Sequence, residues 1–141
     1  MEKQIITIQA DVHAPIKQVW ENYTTAKHIT KWNFATEDWQ CPHAEVNLII
    51  GGKYLTRMEA KDGSFGFDFE AIFKEIVPNS KIIYQIADGR KVKIIFEEKN
   101  NTTQVIINFE AENQNPIEMQ RDGWQAILNN FKNYTEKINP K

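Results

Sequence analysis

The sequence predicts an α+β fold: a curved antiparallel sheet wrapped around one long C-terminal helix, with two short helices after the first strand. Three observations carry that reading. Residues 53–111 form a run of alternating segments broken by turn dipeptides, the C-terminus repeats apolar residues every seven positions, and the first strand is followed by two short helical patterns. A sheet with one apolar face has to cover it, and only the C-terminal segment is long enough to do so. With no repeat, low-complexity tract or linker to divide it, the 141-residue chain is read as one domain, 1–141.

Residues 4–12 read as a strand, because Gln4, Ile6, Ile8, Ala10 and Val12 share one face at a period of two. Pro15 suits a first helical position and is followed by Ile16, Val19, Trp20 and Tyr23 at helical spacing. Thr25 is the expected cap of a second short helix that carries Ile29 and Trp32. Residues 33–52, with Trp39, Cys41, His43 and Gly51-Gly52, are expected to be irregular. Strands are expected at 53–59, 67–76, 82–87, 91–99 and 102–111, separated by Asp62-Gly63, Pro78-Asn79, Asp88-Gly89 and Asn100-Asn101.

Register follows from keeping one face apolar. A two-residue Asn100-Asn101 turn sets Phe96 against Val105, Ile94 against Ile107 and Val92 against Phe109. Adding Arg90 to the Asp88-Gly89 loop, with a bulge, aligns Ile82, Tyr84 and Ile86 with Phe96, Ile94 and Val92. Pro78-Asn79 places Phe73 opposite Tyr84 and Ala71 opposite Ile86. The last helix starts at an Asn115 cap with Pro116 next and Glu118 completing a capping box. Ile117, Trp124, Phe131 and Ile138 form its stripe, joined by Ile127, Leu128 and Tyr134. Gly123 inside this helix costs about 1 kcal/mol relative to Ala, so close approach of the sheet or of a bound molecule is expected there.

Composition excludes several function classes. Hydrophobic residues at 41% and charged residues at 26% suit a folded chain rather than a disordered one. Seventeen basic against 19 acidic side chains leave no basic footprint for nucleic acid. The single Cys41 rules out a disulfide framework and a multi-cysteine zinc finger. Met1-Glu2-Lys3-Gln4 leads straight into a strand, and no apolar run approaches the ~20 residues of a membrane span, so a cytoplasmic location is expected.

A strongly curved sheet can touch one helix closely along only part of its length. Where the two diverge, an apolar space is expected, lined by Phe67, Phe69, Tyr84, Ile94, Phe96, Trp124 and Leu128. Trp32, Trp39, Tyr54 and Met58 complete the expected ligand contacts, with Trp32 and Trp39 flanking the cover. Such a space either fills with side chains or holds an apolar ligand. Tyr54, Thr56, Tyr84 and Thr103 are the hydroxyls expected on that face, while Asp68, Glu70, Lys74, Lys91, Lys93, Glu97 and Glu110 alternate outward. This distribution suits binding better than acid–base chemistry, and no cofactor is implied.

A rival site is the group His28, Glu37, Asp38, Cys41 and His43. Its ligand types suit a metal, but the spacing matches no strong zinc pattern and none is assigned. His43 or Asp38 as a general base, and plain surface polarity, are the other readings. On the opposite sheet face, Ile83, Ile95 and Ile106 are expected to line up across three strands, either as ordinary cross-strand neighbours or as an apolar stripe for a weak homodimer or a client.

Several stretches, in order, carry a resemblance. They are Ala14-Pro15-Ile16-Lys17-Gln18-Val19-Trp20, Trp32, Gly51-Gly52-Lys53-Tyr54 and Asp62-Gly63, then Phe73-Lys74-Glu75-Ile76-Val77-Pro78, Ile82-Ile83-Tyr84 and Gly123-Trp124-Gln125-Ala126-Ile127-Leu128. Together they resemble the activator of heat-shock-protein-90 ATPase homologue family of the START-like (SRPBCC, polyketide cyclase / Bet v 1-like) helix-grip superfamily. The resemblance implies a helix-grip fold with a hydrophobic pocket between sheet and helix. Its members include lipid carriers, cyclases, hormone receptors and co-chaperone domains, so function has to be argued from the site. The leading expectation is non-catalytic binding of a small lipid-, polyketide- or flavonoid-like molecule. A co-chaperone-like interaction module with a chaperone as partner is the alternative, and a cyclase- or hydrolase-like enzyme the third.

Overall fold

Burial alternates strictly along most strands, and that alternation builds one concave apolar face. The computed structural model describes residues 4–138. Its elements are β1 (Ile5–Val12), α1 (Ile16–Thr24), α2 (Ala26–Trp32), β2 (Trp39–Val46), β3 (Lys53–Ala60), β4 (Gly66–Val77), β5 (Lys81–Ile86), β6 (Lys91–Lys99), β7 (Thr102–Glu110) and α3 (Ile117–Ile138). All strands join one antiparallel seven-stranded sheet in the order β1-β7-β6-β5-β4-β3-β2. The core gathers Ile6, Ile8 and Val12 from β1, the inward residues of β5–β7, and Leu128 and Phe131 from α3. Phe131 sits at its centre, edge-on to Tyr23 and Trp32 at centroid distances of 5.0 and 4.9 Å. Among the described residues no helix is long and apolar enough to cross a membrane.

The β6–β7 hairpin has the expected register, with Phe96 opposite Val105 and Ile94 opposite Ile107. Asn100 and Asn101 both take positive φ, 54° and 63°, as a two-residue hairpin turn of this hand requires. The β5–β6 hairpin departs from expectation. Tyr84 faces Val92 and Ile82 faces Ile94, two residues away from the expected pairing. The loop is Ala87-Asp88-Gly89, closed by the Ile86 amide on the Arg90 carbonyl at 2.7 Å, with Gly89 at φ 99°. A two-residue slip preserves the buried face, which is why alternation alone could not detect it.

The slip breaks the outer isoleucine row. Ile95 still pairs with Ile106, but Lys93 stands opposite Ile83 and Lys81 opposite Ile95, so the row is interrupted by two cations. In the β4–β5 hairpin Phe73 faces Tyr84 as expected, by a different route. The loop has three residues, between Val77 and Lys81, and an irregularity between Phe73 and Glu75 restores the pairing beyond it. Asn79 provides the positive φ, 60°.

Residues 39–46, expected to be irregular, form the edge strand β2, with a bulge between Gln40 and His43. Pro42 lies inside that irregularity, the place where an edge strand tolerates a missing amide donor.

Helix entry also differs from the sequence reading. Pro15 and Thr25 stand at the cap positions of α1 and α2, and neither contributes a side-chain capping bond. Their backbone carbonyls accept the first helical amides instead. At α3 the Asn115 side chain donates to Glu112 at 2.8 Å rather than closing a box with Glu118. Gln120 ties down the approach by accepting from the Glu112 amide and donating to the carbonyls of Glu112 and Asn115.

The helix lies closely on β1 and against α1 and α2, and stands off from β3, β4 and β5. Its flank also serves the border of the sheet. Gln125 donates to the Gln9 carbonyl at 3.1 Å, Lys132 donates to the Asp11 carbonyl at 2.8 Å, and Glu136 accepts from the His13 amide at 2.9 Å. The sheet does not make the close approach expected at Gly123: a Cβ there would meet no protein atom within 4 Å.

Candidate functional site

The wedge between α3 and β3–β5 is a cavity of about 150 Å³. Inward positions of β3 supply Tyr54, Thr56 and Met58, and β4 supplies Phe67 and Phe69 across the strand pair. Tyr84 comes from β5, Ile107 from β7, and Tyr23, Trp32 and Asn33 from the short helices and their exit. Trp124, Ile127 and Leu128 of α3 close the other side. No lining residue carries a formal charge.

Of the expected contacts, Trp32, Tyr54, Met58, Phe67, Phe69, Tyr84, Trp124 and Leu128 line the cavity. Three do not. Phe96 is consumed by packing edge-on to Trp20 and Tyr23, at 5.3 and 5.7 Å. Ile94 is wholly buried, facing only a 10 Å³ crevice. Trp39 stands outside the wall, on the rim, in ring contact with Phe65 and Phe67 at 6.0 and 6.3 Å. Phe65 is 62% and Phe67 41% exposed, so these rings form an apolar lip continuous with the cavity through Phe67.

The walls are held by ring contacts. Trp124 stacks on Phe109 at 4.0 Å and meets Phe69 edge-on at 6.3 Å, which locks the start of α3 to β7. Tyr54 and Tyr84 stack at 5.3 Å with planes 12° apart. Trp32 is core rather than cover: only 2% exposed, it donates its indole N–H to the Asn22 carbonyl at 3.0 Å.

Polar atoms gather against this apolar lining. Thr56 is fully buried, and its Oγ1 has no hydrogen-bond partner among the described residues. The hydroxyls of Tyr23, Tyr54 and Tyr84 likewise form no hydrogen bond within the described protein. Burial holds all three phenols well above their ordinary pKa, so they remain hydrogen-bond donors throughout the physiological range. Tyr23, Asn33, Ile107 and Ile127 were missed as lining residues, and Thr56 was placed on the concave face without being counted among the ligand contacts. Thr56 and Ile127 lay on faces already read as inward, whereas Asn33 follows a helix exit that carries no periodic signal.

The rival polar group is dispersed. The His28 ring Nδ1 is 2.6 Å from the Tyr134 hydroxyl, and His43 pairs with Glu45 at 2.8 Å on the surface. Asp38 accepts from the Thr36 hydroxyl. Cys41 is buried, with its thiol pushed up by desolvation. No group of three or more His, Cys, Asp or Glu among the described residues is placed to hold a metal. Thr103 donates to the Ala14 carbonyl at 2.8 Å, away from the cavity.

Comparison with known proteins adds the family setting. A family model described as "Activator of Hsp90 ATPase homolog 1-like protein" matches residues 13–136. Compared with curated protein sequences, the chain finds no match. Among solved structures, the AHSA1-like protein from Aeromonas hydrophila is 36% identical with a TM-score of 0.89, over 95% of this chain and 93% of that one. Chr148 from Cytophaga hutchinsonii is 45% identical with a TM-score of 0.81, over 94% and 92%. A structure described as the Aha1 dimer from Colwellia psychrerythraea shares the fold, with a TM-score of 0.73 at 18% identity over 94% and 96%.

Proposed function

This chain belongs to the activator of Hsp90 ATPase homolog 1-like family, and from that premise we propose that it binds a small hydrophobic molecule, without catalysis, in the cavity between the sheet and α3. The observation that carries the proposal is an uncharged, mainly aromatic cavity of about 150 Å³ beside a well-packed core. An apolar cavity of about that size holds one benzene-sized ring. A ring that buries roughly 150 Å² of apolar surface gains about 4 kcal/mol, which corresponds to a millimolar Kd. Tighter binding requires a longer ligand that also covers the Phe65–Phe67–Trp39 lip. Lipid-, polyketide- and flavonoid-like molecules all meet that description.

The test is a panel of apolar ligands read by thermal shift and by amide chemical shifts. At a ligand concentration one hundred times Kd, stabilisation of about 2.7 kcal/mol is expected. Perturbed amides should cluster at Thr56, Phe69, Tyr84 and Trp124. A panel in which no member raises the melting temperature or moves those amides overturns the proposal.

A second reading is favoured by the rim of exposed Phe65 and Phe67 beside half-buried Trp39 and by the family's description: a co-chaperone-like module that engages a chaperone through this lip. It predicts complex formation that persists with the cavity filled and is lost in Phe65→Ser.

A further inference from the structure

The cavity is apolar in area but polar at its wall. Thr56 Oγ1 is fully buried, lines the cavity and has no partner among the described residues. An unanswered buried hydroxyl is expensive and uncommon, so one facing a cavity points to a missing hydrogen-bond partner. The phenols of Tyr23, Tyr54 and Tyr84, brought to the same wall from α1, β3 and β5, also form no hydrogen bond within the described protein, although their oxygens are not sealed from solvent as Thr56 Oγ1 is. Trp32 does not join them, because its N–H is taken by the Asn22 carbonyl.

We infer that the ligand of this cavity carries an uncharged oxygen acceptor, a ketone or similar carbonyl, received by the Thr56 hydroxyl together with a phenol of the same wall, Tyr84 being the one tested, and that ionised carboxylates of the same shape are rejected. This rests on the proposal that the cavity binds an apolar molecule and adds what its polar end must be. A hydroxyl can donate to a carbonyl oxygen and so satisfy both groups at once. A carboxylate would enter with no lining Lys, Arg or His to offset its lost hydration, and an uncompensated buried anion is far costlier than a buried carbonyl.

Three ligands of nearly equal shape separate the ideas: ethylbenzene, acetophenone and benzoate, titrated at pH 7 and followed by amide chemical shifts. Acetophenone should bind about tenfold more tightly than ethylbenzene, the worth of one good hydrogen bond, and benzoate should leave the cavity amides unmoved. In Thr56→Val and Tyr84→Phe the acetophenone advantage should shrink several-fold while ethylbenzene affinity holds. Both substitutions delete a hydroxyl without a partner in the described protein, so the fold should survive them, and ethylbenzene binding verifies that the cavity persists.

Equal binding of ethylbenzene and acetophenone, indifferent to both substitutions, overturns this inference and leaves the apolar-cavity proposal standing. Benzoate binding as well as acetophenone overturns the requirement for an uncharged end. If none of the three moves the cavity amides, the underlying binding proposal fails with it.

Discussion

Thr56 shows how much a single atom can say. Its methyl group and backbone fit the inward face of β3 as a valine would, while its hydroxyl is buried and unanswered among the described residues. Replacing Thr56 by Val keeps the shape and removes a desolvation penalty of about 1 kcal/mol or more. The ligand-free protein should therefore melt roughly 2–4 °C higher, measured by calorimetry. A lower melting temperature would mean that the hydroxyl is satisfied. At this scale the sequence was informative wherever alternation applied: Tyr54, Thr56 and Met58 follow one another inward along β3. It was uninformative for Trp32, whose N–H partner is a carbonyl of the last turn of α1, released when that helix stops at Thr24. Cover and core indoles look alike until that carbonyl is placed.

Among elements, the hairpins separate what a pattern can reveal from what it cannot. Face was legible in every strand that the sequence predicted, because it depends on parity. Register was legible for β6–β7, where both asparagines adopt the left-handed region that the tight turn demands. It failed by two residues at β5–β6, because Ala87 carries no turn signal yet belongs to the loop. Strand β2 went unread since Pro42 and a bulge interrupt its alternation, and an edge strand beside loops has only partial burial to advertise. For α3, length and stripe were legible, but the meaning of Gly123 was not. With nothing within 4 Å of its absent Cβ, Gly123→Ala should stabilise the protein by about 1 kcal/mol through helix propensity alone. Urea denaturation should show a higher midpoint at unchanged slope, and a lower midpoint would reveal a contact that the alanine disturbs.

For the whole molecule, the decisive relation is between a sheet that curves and a helix that does not. The helix follows β1 and leaves β3–β5, so the core is dense at one side and open at the other. The three phenols in the open part link that geometry to pH. Their folded pKa values are raised by burial, so the unfolded chain loses these protons first as pH rises. Their contribution to stability is fully present below about pH 10 and declines above it, by up to about 1.4 kcal/mol per pH unit for each phenol. Equilibrium unfolding measured from pH 9 to 11.5 should show this loss. Tyr84→Phe should flatten it, and an unaltered slope in that variant would contradict the burial of the phenol. The side chains of Gln125, Lys132 and Glu136 have another effect at this scale. They occupy the carbonyls of Gln9 and Asp11 on the outer edge of β1 and the amide of His13 just beyond it, so a stray strand from another copy cannot extend the ladder over that end until the terminal helix has peeled away. Resistance to fibrillar growth at that margin should therefore track the integrity of the C-terminal turns rather than the solubility of the strand itself.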